Sequence, residues 1–440
     1  MRTKLAATIA AAALLLAACS SPSDTPSSGD ASGSSTGASA PVEFSGFIGG
    51  PGILTQTEDA VKVFNQENPQ YKMTFIQGQL DQAPFQQLTT MYASGNVPTI
   101  FVVDAGDVAK VADKVADLSD LGIVKQAYPW AVQQGTVDGK VLAVPQGAAA
   151  VGFIYNKELI EKATGEPFDP STITTRQDLA DLFAKIQAGG VAPTVVSPLN
   201  WSLGAHFLTK MYDAQGDAAA REQFIADLKA GTADVAGNKV FNDLMDTLDL
   251  MLTYNVNAAT PIAGTAETDA QTFAEGKAAF WFMGDFQWPA LAALGVSPDG
   301  DNYGLMPVPL SNDASDPFNT ELQVTSSFMF AIDKTVNTPE QQEAAKAFLD
   351  WYVNSDSGQD YMVVQAAGTP AYTDVTIPPT NPLGRSTVAA LADGGTYTPG
   401  GGLPADHWNV LGDDMVKYLA GKLDRAGLAQ AIADYWKGQA

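Results

Sequence analysis

The sequence predicts an α/β fold built from two lobes, and three observations support this prediction. Short apolar segments with the length of buried strands alternate with segments of helical periodicity, which is typical of sheets covered by helices. The chain has 440 residues, which is too long for one compact core. Its hydrophobic fraction of 45% and its mean hydropathy of -0.02 fit a globular body.

The first nineteen residues have the features of an export signal. Arg2 and Lys4 precede an apolar stretch over residues 5–16, which is too short to be a convincing membrane span. The segment L-A-A-C that follows resembles a bacterial lipobox, and this resemblance implies cleavage before Cys19 and a lipid on its sulfur. We therefore expect a lipoprotein signal peptide at residues 1–19 and a mature protein anchored at the outer face of the cytoplasmic membrane.

Residues 20–42 are almost wholly small and polar, so they cannot bury enough surface to fold. We expect them to be a flexible linker. Because Cys19 is the only cysteine, disulfide bonds within the chain and cysteine-based metal sites are excluded. The chain has 24 basic and 49 acidic residues, a balance that argues against nucleic-acid binding.

The first lobe begins with alternating strands and helices. Strands are predicted at 42–48, 71–77 and 99–103. Since ligands bind beyond the carboxyl ends of strands in open parallel sheets, groups that follow these ends are candidate ligand contacts. These candidates are the glycine loop at 49–52, Gln79 and Asp104. For Asp104 the alternative is the N-cap of a helix.

The run at residues 278–283 predicts a buried strand in the second lobe. Gly276 is expected to end the preceding helix with a positive φ. The turn after the strand presents Asp285, Phe286 and Trp288, and flat rings with hydrogen-bond acceptors are the chemistry that a sugar-binding cleft requires. The alternative is that Phe286 and Trp288 lie in the core.

Three further residues are candidate ligand contacts, because each follows a predicted strand or lies in or after a loop. Trp201 comes after a predicted strand at 194–196, and Gln323 lies in a polar loop before a predicted strand at 328–332. Trp408 begins the last amphipathic segment. For Trp201 a place in the core is the alternative. Between these positions, Thr338-Pro339-Glu340 predicts the start of a long helix.

The pattern F-x-x-G-K-A-A at residues 273–279, with Gly284 and Phe286 after it, resembles the solute-binding proteins of carbohydrate ABC importers, the maltose-binding-like group. Segments at 141–157, 302–309 and 365–370 resemble the three crossings between lobes in that family. The resemblance extends over residues 43–440. The chain departs from it at Phe286, where the family usually has Trp, and at Thr99, where Asp is common.

This resemblance implies a two-lobed periplasmic-binding-protein (Venus flytrap) fold with three hinge crossings. Lobe 1 is expected at residues 43–149 and 306–367, and lobe 2 at 150–305 and 368–440. The implied function is the capture of a neutral mono- or oligosaccharide and its delivery to ABC permease subunits, by a monomer without cofactor or metal. The expected ligand-binding residues are Gln79, Asp104, Trp201, Asp285, Phe286, Trp288, Gln323 and Trp408.

Catalytic motifs are missing from the chain. Gly276-Lys277 is not a P-loop, because Gln271 occupies the required earlier glycine position. The G-x-S-x-G match at residues 33–37 lies in the predicted linker, H-E-x-x-H is missing, and the two histidines, His206 and His407, are far apart in sequence. We therefore expect no enzyme activity and no catalytic residue.

Two alternatives remain open. A lipid-anchored glycoside hydrolase needs only two carboxylates at the right separation, which composition cannot exclude. A binding protein for iron, a peptide or an organic anion is the other. Iron capture would require clustered tyrosines, and an organic anion would favour an arginine in the cleft. The tyrosines do not cluster, and no arginine lies near the predicted strand-end loops.

Overall fold

The computed structural model describes residues 40–49, 54–79, 82, 84–404 and 406–439. The predicted signal peptide, Cys19, nearly all of the linker and most of the glycine loop at 49–52 lie outside these residues. Among the helices described, none has the length and apolar character needed to cross a membrane.

The described residues form strands and helices that alternate along most of the chain. The strands are β1 (Val42–Phe47), β2 (Tyr71–Phe75), β3 (Ile100–Asp104), β4 (Thr136–Val137), β5 (Lys140–Val141), β6 (Val144–Pro145), β7 (Ala149–Asn156), β8 (Ala192–Val195), β9 (Ala278–Gly284), β10 (Tyr303–Met306), β11 (Leu322–Thr325), β12 (Phe328–Ile332) and β13 (Thr396–Tyr397). The helices are α1 (Leu54–Glu67), α2 (Pro84–Ser94), α3 (Gly122–Gln126), α4 (Pro129–Gln134), α5 (Lys157–Thr164), α6 (Arg176–Ala188), α7 (Lys210–Asp213), α8 (Ala218–Ala230), α9 (Lys239–Thr253), α10 (Ala266–Ala274), α11 (Trp288–Ala293), α12 (Pro339–Asn354), α13 (Asp356–Asp360), α14 (Pro382–Asp393), α15 (His407–Leu419) and α16 (Arg425–Lys437).

The first sheet has the strand order β2-β1-β3-β12-β6. The first three strands along the chain, β1 to β3, are parallel, so their carboxyl ends share one edge of the sheet. Strand β3 is apolar and buried over nearly its whole length, as a central strand covered on both faces must be. Phe64 of α1 is buried on this sheet, where its ring packs edge-on against Phe44 and Phe348.

The second sheet has the order β13-β11-β7-β9-β8, and β10 also pairs with β7. Its central strands β7 and β9 are antiparallel. Phe153 and Phe280 from these strands pack together on one face, while Trp281 belongs to the core on the other face. The α/β architecture with two sheet regions agrees with the fold class predicted from the sequence.

The chain passes between the two sheets at three places. The first crossing lies between β6 and β7. The second lies between β11 and β12, because β10 and β11 both pair with β7 in the second sheet. This position is later than the boundary expected at residue 306. The third lies later than expected: Thr369 forms a bridge with Ala148 of the first crossing and Tyr372 one with Ala127 of the first lobe, and only α14 reaches the second sheet, where the Ser386 hydroxyl accepts from the Leu305 N–H.

Candidate functional site

Three rings that follow strands of the second sheet lie together at the surface. The ring centroids of Trp201 and His206 are 5.5 Å apart, and those of Trp201 and Phe286 are 6.1 Å apart. His206 also contacts Phe286, with 6.0 Å between centroids. Phe286 is 40% exposed, which is unusual for so apolar a ring. We call Trp201, His206 and Phe286 the aromatic patch.

The backbone around the patch explains the direction of these side chains. Phe286 lies over Gly284, since a Cβ on that glycine would overlap its ring. Trp201 precedes a π-helix, Ser202–Phe207, in which the Leu208 N–H donates to the Leu203 carbonyl at 2.8 Å. π-Helices are rare and are frequently found at functional sites.

Trp408 lies on a helix that packs directly against this π-helix. A Cβ on Gly204 would overlap the carbonyl oxygen of Trp408, and a Cβ on Gly412 would overlap the carbonyl of Asn200. The two glycines therefore allow α15 to approach the backbone that carries the aromatic patch. Trp408 is 38% exposed, and the structure thus brings a fourth ring to the same region.

A buried ion pair holds the loop that leads to Trp408. The Arg221 Nε donates to the Asp213 carboxylate at 2.8 Å, and its Nη2 donates to the carbonyls of Gly400 and Gly401 at 2.5 and 2.9 Å. The Gly400 N–H donates to the same carboxylate at 3.0 Å. Because the guanidinium is planar and its donors are fixed, this arrangement constrains the glycine-rich loop.

His407 has a packing role at the start of α15. It is buried and its Nε2 lies 2.8 Å from the hydroxyl of Tyr212, which also accepts a hydrogen bond from Trp436 Nε1 at 2.9 Å. Burial lowers the pKa of His407 to about 4, so the ring is neutral near pH 7.

Asp285 points inward, not toward the patch. One carboxylate oxygen accepts from the Ala150 N–H at 3.1 Å, and the other accepts from the hydroxyls of Thr369 and Thr387, both at 2.9 Å. Burial raises the pKa of this carboxyl to about 6. These partners belong to β7, which follows the first crossing, to the third crossing and to α14. Asp285 therefore joins segments of the hinge, and its buried carboxylate does not face a ligand as was expected.

Trp288 and Gln323 are also buried. Trp288 is 5% exposed and belongs to the core on α11, which was the alternative considered for it. Gln323 is 2% exposed and accepts a hydrogen bond from the hydroxyl of Tyr397 at 3.1 Å. Proximity to a strand end therefore does not make either side chain available to a ligand in this structure.

The two candidates in the first lobe are more accessible. Gln79 is exposed, and its amide oxygen accepts from Gln82 Nε2 at 2.7 Å. Asp104 ends β3 and is partly buried; burial and the charge of Asp107 raise the pKa of its carboxyl to about 6. Its side chain makes no capping hydrogen bond to the following helical turn. Among the described residues, no hydrogen bond or ring contact joins Gln79 or Asp104 to the aromatic patch.

Sequence reasoning missed the polar groups behind the patch. His206 has a partly exposed ring, but its Nδ1 is buried and has no hydrogen-bond partner among the described residues. Lys210, four residues after His206, is buried as well. The signal for Lys210 was present in the sequence, since a lone cation between Leu208 and Met211 interrupts a run of core residues.

Other features of the surface do not indicate a catalytic or metal-binding site. Two cavities of about 360 and 230 Å³ are lined by none of the residues of the aromatic patch. The larger one is lined by Arg176, Asp246 and Asp249 among others. Within the part of the chain that the structure describes, no group of three or more histidine, cysteine or acidic residues is placed to hold a metal ion.

Comparison with known proteins gives one family. The sequence model of the bacterial extracellular solute-binding proteins matches residues 52–359. An uncharacterized ABC transporter extracellular-binding protein from Pyrococcus horikoshii is 27% identical over 231 residues, which are 50% of this chain and 49% of that protein. The match thus spans about half the length of this curated relative.

Solved structures of similar fold cover nearly the whole chain. T. maritima MalE3, solved with maltose bound, has a TM-score of 0.70 and 19% identity, covering 91% of this chain and all of the other. RafE was solved in apo form from Streptococcus pneumoniae and in complex with raffinose. These two structures have TM-scores of 0.71 and 0.69 and 19% identity, and they cover 91% and 90% of this chain and 99% of RafE. At this identity the likeness establishes the fold.

Proposed function

Because the chain belongs to the family of bacterial extracellular solute-binding proteins, we propose that it is the solute-capturing component of an ABC importer and that its solute is a mono- or oligosaccharide. The observation that carries the sugar assignment is the exposed ring of Phe286 beside Trp201, together with the exposed ring of Trp408 on the helix that packs against the same π-helix. Sugars bury their apolar C–H faces on such rings. The bound maltose and raffinose of the similar structures support the same class of ligand.

Capture is proposed to occur by closure of the two lobes about the three crossings. Only a closed state lets groups of the first lobe, such as Asp104 and Gln79, contact a sugar that lies on the aromatic patch. The ligand therefore has a higher affinity for the closed state and shifts the population toward it. Asp285 links two of the crossing segments and is proposed to keep the hinge in register.

Membrane attachment and delivery complete the proposal. The lipid on Cys19 and the linker at residues 20–42 would hold the monomeric protein above the membrane, within reach of its permease. Some twenty linker residues span roughly 25 Å, taking about 5–6 Å times the square root of their number. That reach is short, so the binding protein would stay concentrated near its transporter.

The proposal predicts binding without turnover. Purified protein incubated with its best-stabilising oligosaccharide should return that sugar unchanged, as measured by chromatography of the recovered ligand. Asp104 and Asp285 are the carboxylates to test for a hydrolase, so Asp104→Asn and Asp285→Asn are the control variants. New reducing ends that appear with the parent protein and disappear in these variants would contradict the proposal.

A further inference from the structure

His206 completes the aromatic patch, yet no described residue forms a hydrogen bond with its ring. Its ring centroid lies 5.5 Å from that of Trp201 and 6.0 Å from that of Phe286. Of its two ring nitrogens, only Nδ1 is both buried and without a hydrogen-bond partner among the described residues. Nε2 also has no such partner, so it is open to solvent at the exposed edge of the ring. The patch therefore presents a free polar atom beside its rings.

The π-helix brings His206 to this position. In an α-helix, two residues five positions apart point about 140° away from each other, because each residue turns the helix by about 100°. In the π-helix Ser202–Phe207 the hydrogen bonds join residues five apart, as between the Leu208 N–H and the Leu203 carbonyl. Trp201 and His206 are also five apart, so they share one face, and their rings are in contact. A rare backbone geometry thus places the imidazole at the patch.

The buried Nδ1 determines which ring nitrogen carries the proton. Burial, with a further effect of the charge of Lys210, lowers the pKa of His206 to about 4, so near pH 7 the ring is neutral and has one N–H and one lone pair. Buried backbone N–H groups without an acceptor are rarer than buried carbonyls without a donor, and we apply the same preference to the ring. The lone pair then belongs to Nδ1, and Nε2 presents its N–H to the solvent.

We propose that His206 is a specificity-determining residue of the saccharide site and that its Nε2–H donates a hydrogen bond to a hydroxyl oxygen of the sugar unit lying on the aromatic patch. This inference rests on the proposed function, because it takes the patch as the sugar platform. Stacking on a ring depends on the apolar face of a sugar, whereas a directed donor distinguishes a sugar that has the hydroxyl from one that lacks it. His206 therefore sets the orientation of the sugar on the patch.

The protonated nitrogen can be observed directly, because His206 and His407 are the only histidines in the chain. Long-range ¹H–¹⁵N correlation spectra of the ligand-free protein, labelled at histidine, should show the Nε2–H form of His206. His407 is the internal reference. The Tyr212 hydroxyl accepts from Trp436 Nε1 and lies 2.8 Å from His407 Nε2, so its proton points to that nitrogen and His407 should show the Nδ1–H form. The Nδ1–H form at His206 would overturn the proposal.

Calorimetric titration measures the hydrogen bond to the sugar. The probes are maltose, raffinose, xylotriose and chitotriose, together with the monodeoxy analogues of whichever binds the parent most tightly. We expect one analogue, which lacks the accepting hydroxyl, to bind the parent about 10-fold more weakly than the intact sugar, as the loss of a single hydrogen bond predicts. In His206→Phe, which keeps an aromatic ring without an N–H, the intact sugar and this analogue should bind equally weakly.

Two amide variants test the position of the donor. His206→Gln places an amide N–H near the position of Nε2 and should keep most of the affinity and the preference for the intact sugar. His206→Asn is the matched control, since its amide lies near the position of Nδ1, and it should behave like His206→Phe. Because the fold makes no hydrogen bond to Nδ1, we expect His206→Phe to melt close to the temperature of the parent.

The outcomes separate this inference from the proposed function. If His206→Phe keeps the preference for the intact sugar, at any affinity, the role of His206 as donor is overturned while the proposed function stands. If neither these probes nor a wider thermal-shift panel of saccharides yields a sugar that binds the parent, both are overturned.

Discussion

Replacing Asp285 with alanine should lower the free energy of unfolding by roughly 2–4 kcal/mol. The substitution leaves the Ala150 N–H and the hydroxyl of Thr369 buried without the acceptor they have now, and each such loss costs about 1–3 kcal/mol. The hydroxyl of Thr387 is less affected, because it also donates to the Leu383 carbonyl at 3.2 Å. Denaturant titration monitored by tryptophan fluorescence measures the change.

The pH dependence provides a second measurement at the same residue. Burial raises the pKa of Asp285 from its ordinary value of 3.8 to about 6, so the folded protein binds this proton more tightly than the unfolded chain does. The associated stability is complete below pH 4 and is lost as the pH rises through 6. Asp285→Asn should therefore gain less stability than the parent when the pH falls from 8 to 5. Equal gains in both proteins would show that Asp285 is not the titrating group. Asp104, whose pKa is also raised to about 6, would then be the next carboxyl to test.

If each ring is a platform for the sugar, as proposed, replacing Phe286 or Trp408 with alanine should weaken saccharide binding by about 30-fold, equivalent to about 2 kcal/mol. Both rings are substantially exposed, so little core packing is lost and the melting temperature should stay near that of the parent. Trp201 is more enclosed, and its substitution should affect both affinity and stability. Calorimetric titration beside a melting curve separates these effects.

Trp288→Ala is the matched control for the aromatic variants. Trp288 is buried on α11, so its truncation should leave a cavity and lower the free energy of unfolding by roughly 3–5 kcal/mol. Its direct effect on affinity in the folded fraction should be small. If Phe286→Ala and Trp408→Ala bound the sugar as tightly as the parent, the platform assignment would be wrong.

Local signals explain what could be predicted from the sequence. The apolar run at 278–283 is strand β9, and Gly276 before it has a φ of 69°, as expected for a helix end. Thr338 caps α12 close to the predicted start. Its hydroxyl accepts from the Gln341 N–H, and the Gln341 side chain accepts from the Thr338 N–H. Each of these features depends on residues within a few positions of one another, so a short window of sequence is enough to predict it.

The direction of side chains and the long-range pairing of strands could not be predicted in this way. Asp285 and Phe286 are neighbours after the same strand, yet the turn sends one inward to the hinge and the other outward to the patch. The second crossing was expected too early, because strand β11 finds its partner β7 about 170 residues earlier in the chain. The ion pair of Arg221 with Asp213 and its contact with Gly400 likewise depend on the assembled fold.

The central claim is that this protein binds a saccharide, and a thermal-shift screen of the purified protein tests it most directly. The panel contains neutral and acidic mono- and oligosaccharides, with amino acids, short peptides and organic anions as comparison classes. At a concentration of 100 times Kd, a ligand adds about 2.7 kcal/mol to the free energy of unfolding. We predict that at least one saccharide raises the unfolding midpoint and titrates to a single site. Stabilisation by a compound of another class, with no response to any saccharide, would contradict the account.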